Sequence, residues 1–177
     1  MIGFDPEKLV FIDEMGAKSN MTRRYGRSLR GARLVDRVPH GHWVTTTHIC
    51  GLRRSGIVAP HSFSGAMNTV RFVEYVRDIL CPVLSAGDIV ICDNLSPHKS
   101  AEARSLVAAT GAMLLFLPPY SPDLNPIEMS FSKLKSVLRK EKIRDVGVLQ
   151  EFLRQSANLF SQSECQNYLR HAGYCLN

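Results

Sequence analysis

No apolar stretch of the 177-residue chain approaches the roughly 20 residues that a membrane-spanning helix needs. Its first ten residues include Asp5 and Glu7 and lack the apolar segment of a secretory leader, so no signal peptide and no membrane partner are expected. Paired cysteines are also missing. Cys50, Cys81, Cys92, Cys165 and Cys175 are scattered, odd in number and form no CxxC, which argues against a disulfide framework or a zinc site. Small buried thiols in a reducing cytoplasm are the expectation. No histidine pair has the HxxxH spacing of a helical zinc site. Internal repeats, low-complexity tracts and linkers are absent, so a single domain over residues 1–177 is expected. Acids are in deficit, 16 against 22 Lys+Arg, and the net charge of +6 invites an anionic partner. A hydrophobic share of 45% with 21% charged residues excludes disorder, a coiled coil and a collagen-like fibre.

What is present is a set of short apolar runs that end in acids. Leu9-Val10-Phe11-Ile12 stops at Asp13-Glu14, and Ile89-Val90-Ile91-Cys92 stops at Asp93. Runs of four apolar residues bounded by charge read as strands buried on both faces. Between them, Gly16–Gly41 is a polar, arginine-rich loop, and residues 43–50 and 57–63 flank the Arg53–Gly56 turn as a hairpin. Asn68 caps a helix that Pro82 ends, residues 97–110 read as a second helix, and Met113–Leu117 as another strand. A third helix covers residues 126–142, and residues 146–160 and 163–171 form an amphipathic helical tail. The order β-β-β-α-β-α-β-α predicts an α/β fold with a mixed sheet and helices on both faces. Ligands of such sheets gather at the carboxyl ends of strands, where Asp13 and Asp93 are expected.

Glu128 is the third acid of interest. Asn125-Pro126-Ile127-Glu128 is itself a good helix-start pattern, with Asn125 as cap and Glu128 serving only the helix terminus. The competing reading is chemical. Phosphodiester displacement needs a nucleophile, charge neutralisation and a stabilised leaving group, which two Mg²⁺ ions about 4 Å apart supply. Magnesium takes hard oxygen ligands and keeps several waters, so a few convergent carboxylates suffice. Three such acids in one place would repel strongly without cations. On the same helix Ile127, Phe131, Leu134 and Leu138 form a core face, while Glu128, Ser132, Lys135 and Arg139 form the adjacent stripe. That stripe suits either a metal beside a DNA backbone or a solvated charged face.

The phosphate-binding candidates are Arg23, Arg24, Arg27, Arg30, Arg33 and Arg37 in the long loop, with Lys135 and Arg139. His98 and Lys99, beyond the second aspartate, join them; His98 would orient a phosphate or a water, or simply face solvent. Glu14 is expected on the opposite side of its strand from Asp13, and Trp43 is read as core or hairpin packing rather than base stacking.

Several segments together resemble the DDE transposases of the Tc/mariner superfamily, in particular their bacterial insertion-sequence-630 branch. They are Phe11-Ile12-Asp13-Glu14, Arg23-Arg24-Tyr25-Gly26, Pro39-His40-Gly41-His42-Trp43, Cys92-Asp93-Asn94-Leu95-Ser96-Pro97-His98-Lys99 and Leu117 through Glu128, with 34 residues between Asp93 and Glu128. The resemblance covers about residues 9–175. It implies a ribonuclease-H-like fold in which Asp13, Asp93 and Glu128 are catalytic and hold two Mg²⁺, with Mn²⁺ as substitute. It implies nicking of double-stranded DNA at transposon ends, then transfer of the freed 3′-hydroxyl into target DNA, typically at TA dinucleotides. Water is the first nucleophile and the DNA hydroxyl the second. A homodimer and a bacterial cytoplasmic, nucleoid-associated setting follow from the same analogy. Full-length relatives carry an N-terminal helix-turn-helix region for which this chain has no room. A second reading frame, a fragment or a degenerate copy are the expectations, the first with a separate helix-turn-helix product as partner. Ser96-Pro97 also departs from the Gly-Ser found in many relatives.

Overall fold

The computed structural model describes residues 5–23, 25–37 and 43–174. Five strands, β1 (Leu9–Lys18), β2 (Thr45–Arg53), β3 (Gly56–Ser64), β4 (Ile89–Cys92) and β5 (Met113–Phe116), form one sheet in the order β3-β2-β1-β4-β5. The β1–β2 and β2–β3 pairs are antiparallel, while β1–β4 and β4–β5 are parallel. This is the mixed sheet expected from the element order.

β1 runs well past the acids where the apolar pattern suggested it would stop. Met15 and Ala17 are buried while Gly16 and Lys18 are exposed, a period of two that keeps the strand paired with β2 as far as Lys18 and Thr45. Its partnership with β4 ends earlier, at Phe11 and Ile91. Asp13 therefore lies inside a strand, but beyond the point where the parallel half of the sheet gives out.

Helices cover both faces. On one, Leu9, Phe11 and Met15 pack with α3 (Ile127–Glu141), α4 (Val146–Arg154) and α5 (Gln162–His171). The α3 contribution is Ile127, Phe131, Leu134 and Leu138, all buried, as the 4-3-4 spacing predicts. On the other face, Val10, Ile12 and Val90 pack with α1 (Thr69–Tyr75) and α2 (Ala101–Ala109).

Several boundaries move for identifiable reasons. Asn68 accepts from the Arg71 amide at 2.9 Å and starts α1, which widens at Val76–Leu80 and closes in a tight turn at Cys81–Val83 holding Pro82. The segment expected as one helix from Pro97 splits into a turn, Ser96–Lys99, and α2, because Ser100 accepts from the Ala103 amide and caps a new helix. The tail divides into α4, a turn at Ser156–Leu159, and α5, which begins with a Ser161/Glu164 capping box. Trp43 is half-exposed beside the Lys18 ammonium rather than packed in the core.

His48 is a buried polar group of β2. Its Nδ1 lies 3.0 Å from Ser62 Oγ and its Nε2 3.3 Å from Ser156 Oγ, and burial pushes its pKa down to about 4. Cys50, Cys81, Cys92 and Cys165 are free thiols, and Cys175 lies outside the described residues. Among the described residues no helix is long and apolar enough to cross a membrane.

Candidate active site

The register of β1 on β4 brings the two aspartates together. Leu9 pairs with Ile89, Val10 with Val90 and Phe11 with Ile91, each 80 residues apart, and the same offset carries Asp13 to Asp93. Neighbouring strands lie about 4.8 Å apart, so both side chains issue from one end of adjacent strands. Glu128, in the first turn of α3, is brought over them by the burial of Ile127 and Phe131 against the sheet. All three acids line a single cleft of about 380 Å³, walled by Leu117–Pro122 and Asn125.

The helix-capping account of this segment does not hold. Pro126 occupies the cap position without a side-chain cap bond, and the Asn125 amide instead donates from Nδ2 to Asp13 Oδ2 at 2.8 Å. Asn125 Oδ1 is buried with no hydrogen-bond partner. Both residues that read as helix-start chemistry thus face the cleft.

Asp13 is 8% exposed, and its Oδ1 accepts from the Glu14 amide at 2.7 Å. Burial, together with the charges of Glu14, Asp93 and Glu128, outweighs that bond and raises its pKa to about 7. Glu14 points to the other face of β1, as strand alternation requires. There its Oε2 lies 3.1 Å from His98 Nε2, while His98 Nδ1 lies 2.5 Å from Asp93 Oδ1. Burial alone would lower the His98 pKa, but its contacts with the Asp93 and Glu14 carboxylates raise it to about 9. At neutral pH the ring is an imidazolium between two carboxylates, Glu14 and Asp93. His98 departs from the surface position expected of a phosphate contact: its side chain is 1% exposed, sealed against Phe72.

The donors fit a hard divalent cation. The three acids meet one cleft, His98 is the buried cation beside them among the described residues, and an orphaned amide oxygen sits beside Asp13. Among the described residues no three His, Cys, Asp or Glu side chains crowd around a single point. An ion here would therefore be held by one or two carboxylates each and by retained water.

The basic candidates scatter more widely. Arg23, Arg27, Arg30, Arg33 and Arg37 are exposed, and Arg24 and residues 39–42 lie outside the described residues. Arg23 and Tyr25 line a shallow groove with Ser136, Arg139 and Lys140 of α3, so loop and helix meet on one surface. Ion pairing of Lys142 with Asp36, at 2.9 Å, and Arg144 donation to the Ser19 and Met21 carbonyls hold the loop there. Lys135 is half-buried and Lys99 is exposed, away from that groove's lining. Along α3, the 11-residue step from Glu128 to Arg139 spans about 16 Å. The roles of Asn125 in holding Asp13 and of Glu14 in reaching His98 were missed from sequence. The first had a signal, an asparagine beside a proline-rich run, that a capping pattern equally explained.

A family model described as DDE superfamily endonuclease matches residues 8–150. No curated protein matches in sequence. Among solved structures, the Mos1 mariner paired end complex with Mn is similar at a TM-score of 0.77 and 16% identity, covering 95% of this chain and 53% of that one. The Mos1 paired-end complex with left transposon end gives 0.75 at 14% identity, covering 94% and 52%. The catalytic domain of Mos1 mariner transposase gives 0.70 at 14% identity, covering 94% of this chain and 78% of that domain. The sheet and its helices are thus those of the ribonuclease-H-like fold. The chain spans about half the length of the chains in the first two complexes.

Proposed function

The chain belongs to the DDE superfamily endonucleases, and from that premise we propose that it is the catalytic domain of a DNA transposase of the insertion-sequence-630 branch. The observation that carries this reading is the common offset of β1 on β4, which delivers Asp13 and Asp93 to one cleft beneath Glu128. Asp13, Asp93 and Glu128 are the proposed catalytic and metal-holding residues, taking two Mg²⁺ or, as substitute, Mn²⁺. Bound there, the ions would neutralise the scissile phosphate and activate nucleophile and leaving group. Asp13 and Asp93 are held from opposite sides, by Asn125 and His98, so their carboxylates keep one orientation before substrate arrives. Water attacks the phosphodiester at the transposon end, forming a 5′-phosphate as the P–O3′ bond breaks and frees a 3′-hydroxyl. That hydroxyl then attacks a target phosphodiester, forming a new P–O3′ bond as the target strand's own 3′-hydroxyl leaves. Homodimer formation, a separate helix-turn-helix partner and a cytoplasmic, nucleoid-associated location belong to the same proposal.

The test uses duplex DNA taken from either flank of the coding sequence, where terminal repeats are expected, incubated with protein, Mn²⁺ and a supercoiled target. Nicks with 3′-hydroxyl ends followed by joined products are the expected outcome. Nicks that never join indicate a structure-selective nuclease on the same fold. DNA binding with no metal-dependent product would reduce the protein to a DNA-binding remnant.

The groove between loop and α3 gives a separate prediction. If Arg23, Arg139 and their neighbours hold phosphates, log affinity for DNA falls linearly with log salt, by about 0.9 per neutralised phosphate. Arg23→Ala and Arg139→Ala should each reduce that slope by about one and weaken binding alike for unrelated sequences. A slope unchanged in both variants, measured by fluorescence anisotropy, removes this groove from the DNA path.

A further inference from the structure

Asp93 stands one residue past the end of β4, where the backbone ladder has stopped. Its Oδ1 accepts from the Leu95 amide at 3.2 Å and meets His98 Nδ1 at 2.5 Å. No hydrogen bond reaches its Oδ2 among the described residues. One oxygen is occupied and the other is left for a ligand. The imidazole that occupies it is itself constrained at three points. Its far nitrogen lies 3.1 Å from Glu14 Oε2, its ring centre 4.5 Å from that of Phe72, and its own amide donates to the Leu95 carbonyl at 3.1 Å. Glu14 in turn is anchored in the strand that carries Asp13.

We propose that His98 is a positioning residue that fixes Asp93 for divalent-cation binding, with Glu14 setting the orientation of the ring. This rests on the reading of function above. The chain Glu14–His98–Asp93 links β1 to the end of β4 from the α1/α2 face, while the Asn125 bond holds Asp13 alone from the α3 side. A histidine that served packing alone would need one polar partner inside the core. Here both nitrogens lie beside carboxylates, Nδ1 hydrogen-bonded to Asp93, which lines the cleft, and Nε2 paired by charge with Glu14 without hydrogen-bond geometry. Groups of this kind, which orient a ligating side chain without touching the ion, change metal affinity by about 10- to 100-fold when removed.

The experiment is calorimetric titration of the whole chain with Mn²⁺ alone, with folding checked by thermal melting and cleavage followed in parallel over a range of Mn²⁺. His98→Ala should bind Mn²⁺ about 10- to 100-fold more weakly, with cleavage recovering as Mn²⁺ is raised. His98→Asn, whose amide N–H replaces Nδ1, should stay within several-fold of the parent, and Glu14→Gln should fall between. If His98→Ala does not fold, His98→Gln takes its place, because its amide reaches the Nε2 position and leaves Asp93 without its donor. His98→Asn should then bind about tenfold more tightly than His98→Gln. Equal affinity in those two, or parental affinity in folded His98→Ala, overturns the inference while the functional reading stands. A parent protein that binds no Mn²⁺ overturns the functional reading itself and this inference with it.

Discussion

Under the proposed function, Asp93→Asn is expected to lower cleavage of transposon-end DNA by roughly 10³-fold, equivalent to about 4 kcal/mol of transition-state stabilisation. The amide has the shape of the carboxylate but not its charge, and charge is what this position contributes: it opposes His98 on one side and lines the cleft on the other. The fold will tolerate the change. Asp93 is partly exposed at the end of β4, and its Oδ1 can still accept from Leu95 and His98 as an amide oxygen. The melting temperature should therefore move by only a few degrees, in keeping with about 1 kcal/mol lost from one weakened charged hydrogen bond. Glu128→Gln should behave in the same way, since its helix packs through Ile127, Phe131, Leu134 and Leu138 and not through the glutamate. Single-turnover cleavage with Mg²⁺ and again with Mn²⁺ measures the effect. A rate for Asp93→Asn within tenfold of the parent, in either metal, would remove Asp93 from the active site.

The sheet was legible before the structure because its two central strands are short, wholly apolar and stopped by acids. Residues 9–12 and 89–92 read as strands buried on both faces, and they carry the register that joins Asp13 to Asp93. The core face of α3 was legible for a similar reason, as four apolar residues at helical spacing admit one buried side. What escaped was decided by contacts far apart in sequence. Asn125 has an equally good local use as a helix cap, and it is the 112-residue contact with Asp13 that captures its side chain instead. His98 follows a proline in a polar turn, which reads as surface; Phe72, from a helix some 26 positions earlier, is what buries it. β1 continues past Asp13 because β2 offers eight successive partners, a pairing that the charged Asp13-Glu14 step conceals. The long arginine loop has no periodicity to read, and its course over α3 is fixed by single ion pairs such as Lys142 with Asp36.

The second large effect is on stability, and its sign follows from three buried groups. Asp13 has a folded-state pKa of about 7 against 3.8 unfolded, so the folded chain binds that proton more tightly. Its contribution to stability falls as pH rises from 3.8 to 7, and above 7 the full penalty of about 4 kcal/mol remains. His48, depressed from 6.5 to about 4, works the other way, since stability is lost as pH falls from 6.5 toward 4. His98, raised from 6.5 to about 9, stabilises fully below 6.5 and loses that contribution as pH rises through 9. From pH 5 to 6.5 the Asp13 and His48 slopes oppose each other at one proton apiece, and His61, lowered by burial, adds a smaller slope on the His48 side, so stability changes little. From 6.5 to 9 His98 and the last part of Asp13 act together. The metal-free protein should hold a plateau on the acid side of neutrality and then lose about 4 kcal/mol by pH 9. Asp13→Asn removes one arm of the balance. Its curve should rise by about 2 kcal/mol from pH 5 to 6.5, peak there, and lie above the parent's by about 4 kcal/mol at pH 8, while cleavage is lost. Divalent cation should narrow that gap from the parent's side alone, by about 2.7 kcal/mol at 100 times its dissociation constant. Urea unfolding across this pH range, with chelator and then with Mg²⁺, supplies every number. If Asp13→Asn tracks the parent at pH 8 without metal, the acid carries no penalty from burial and neighbouring charge, and the cleft is not arranged around a cation.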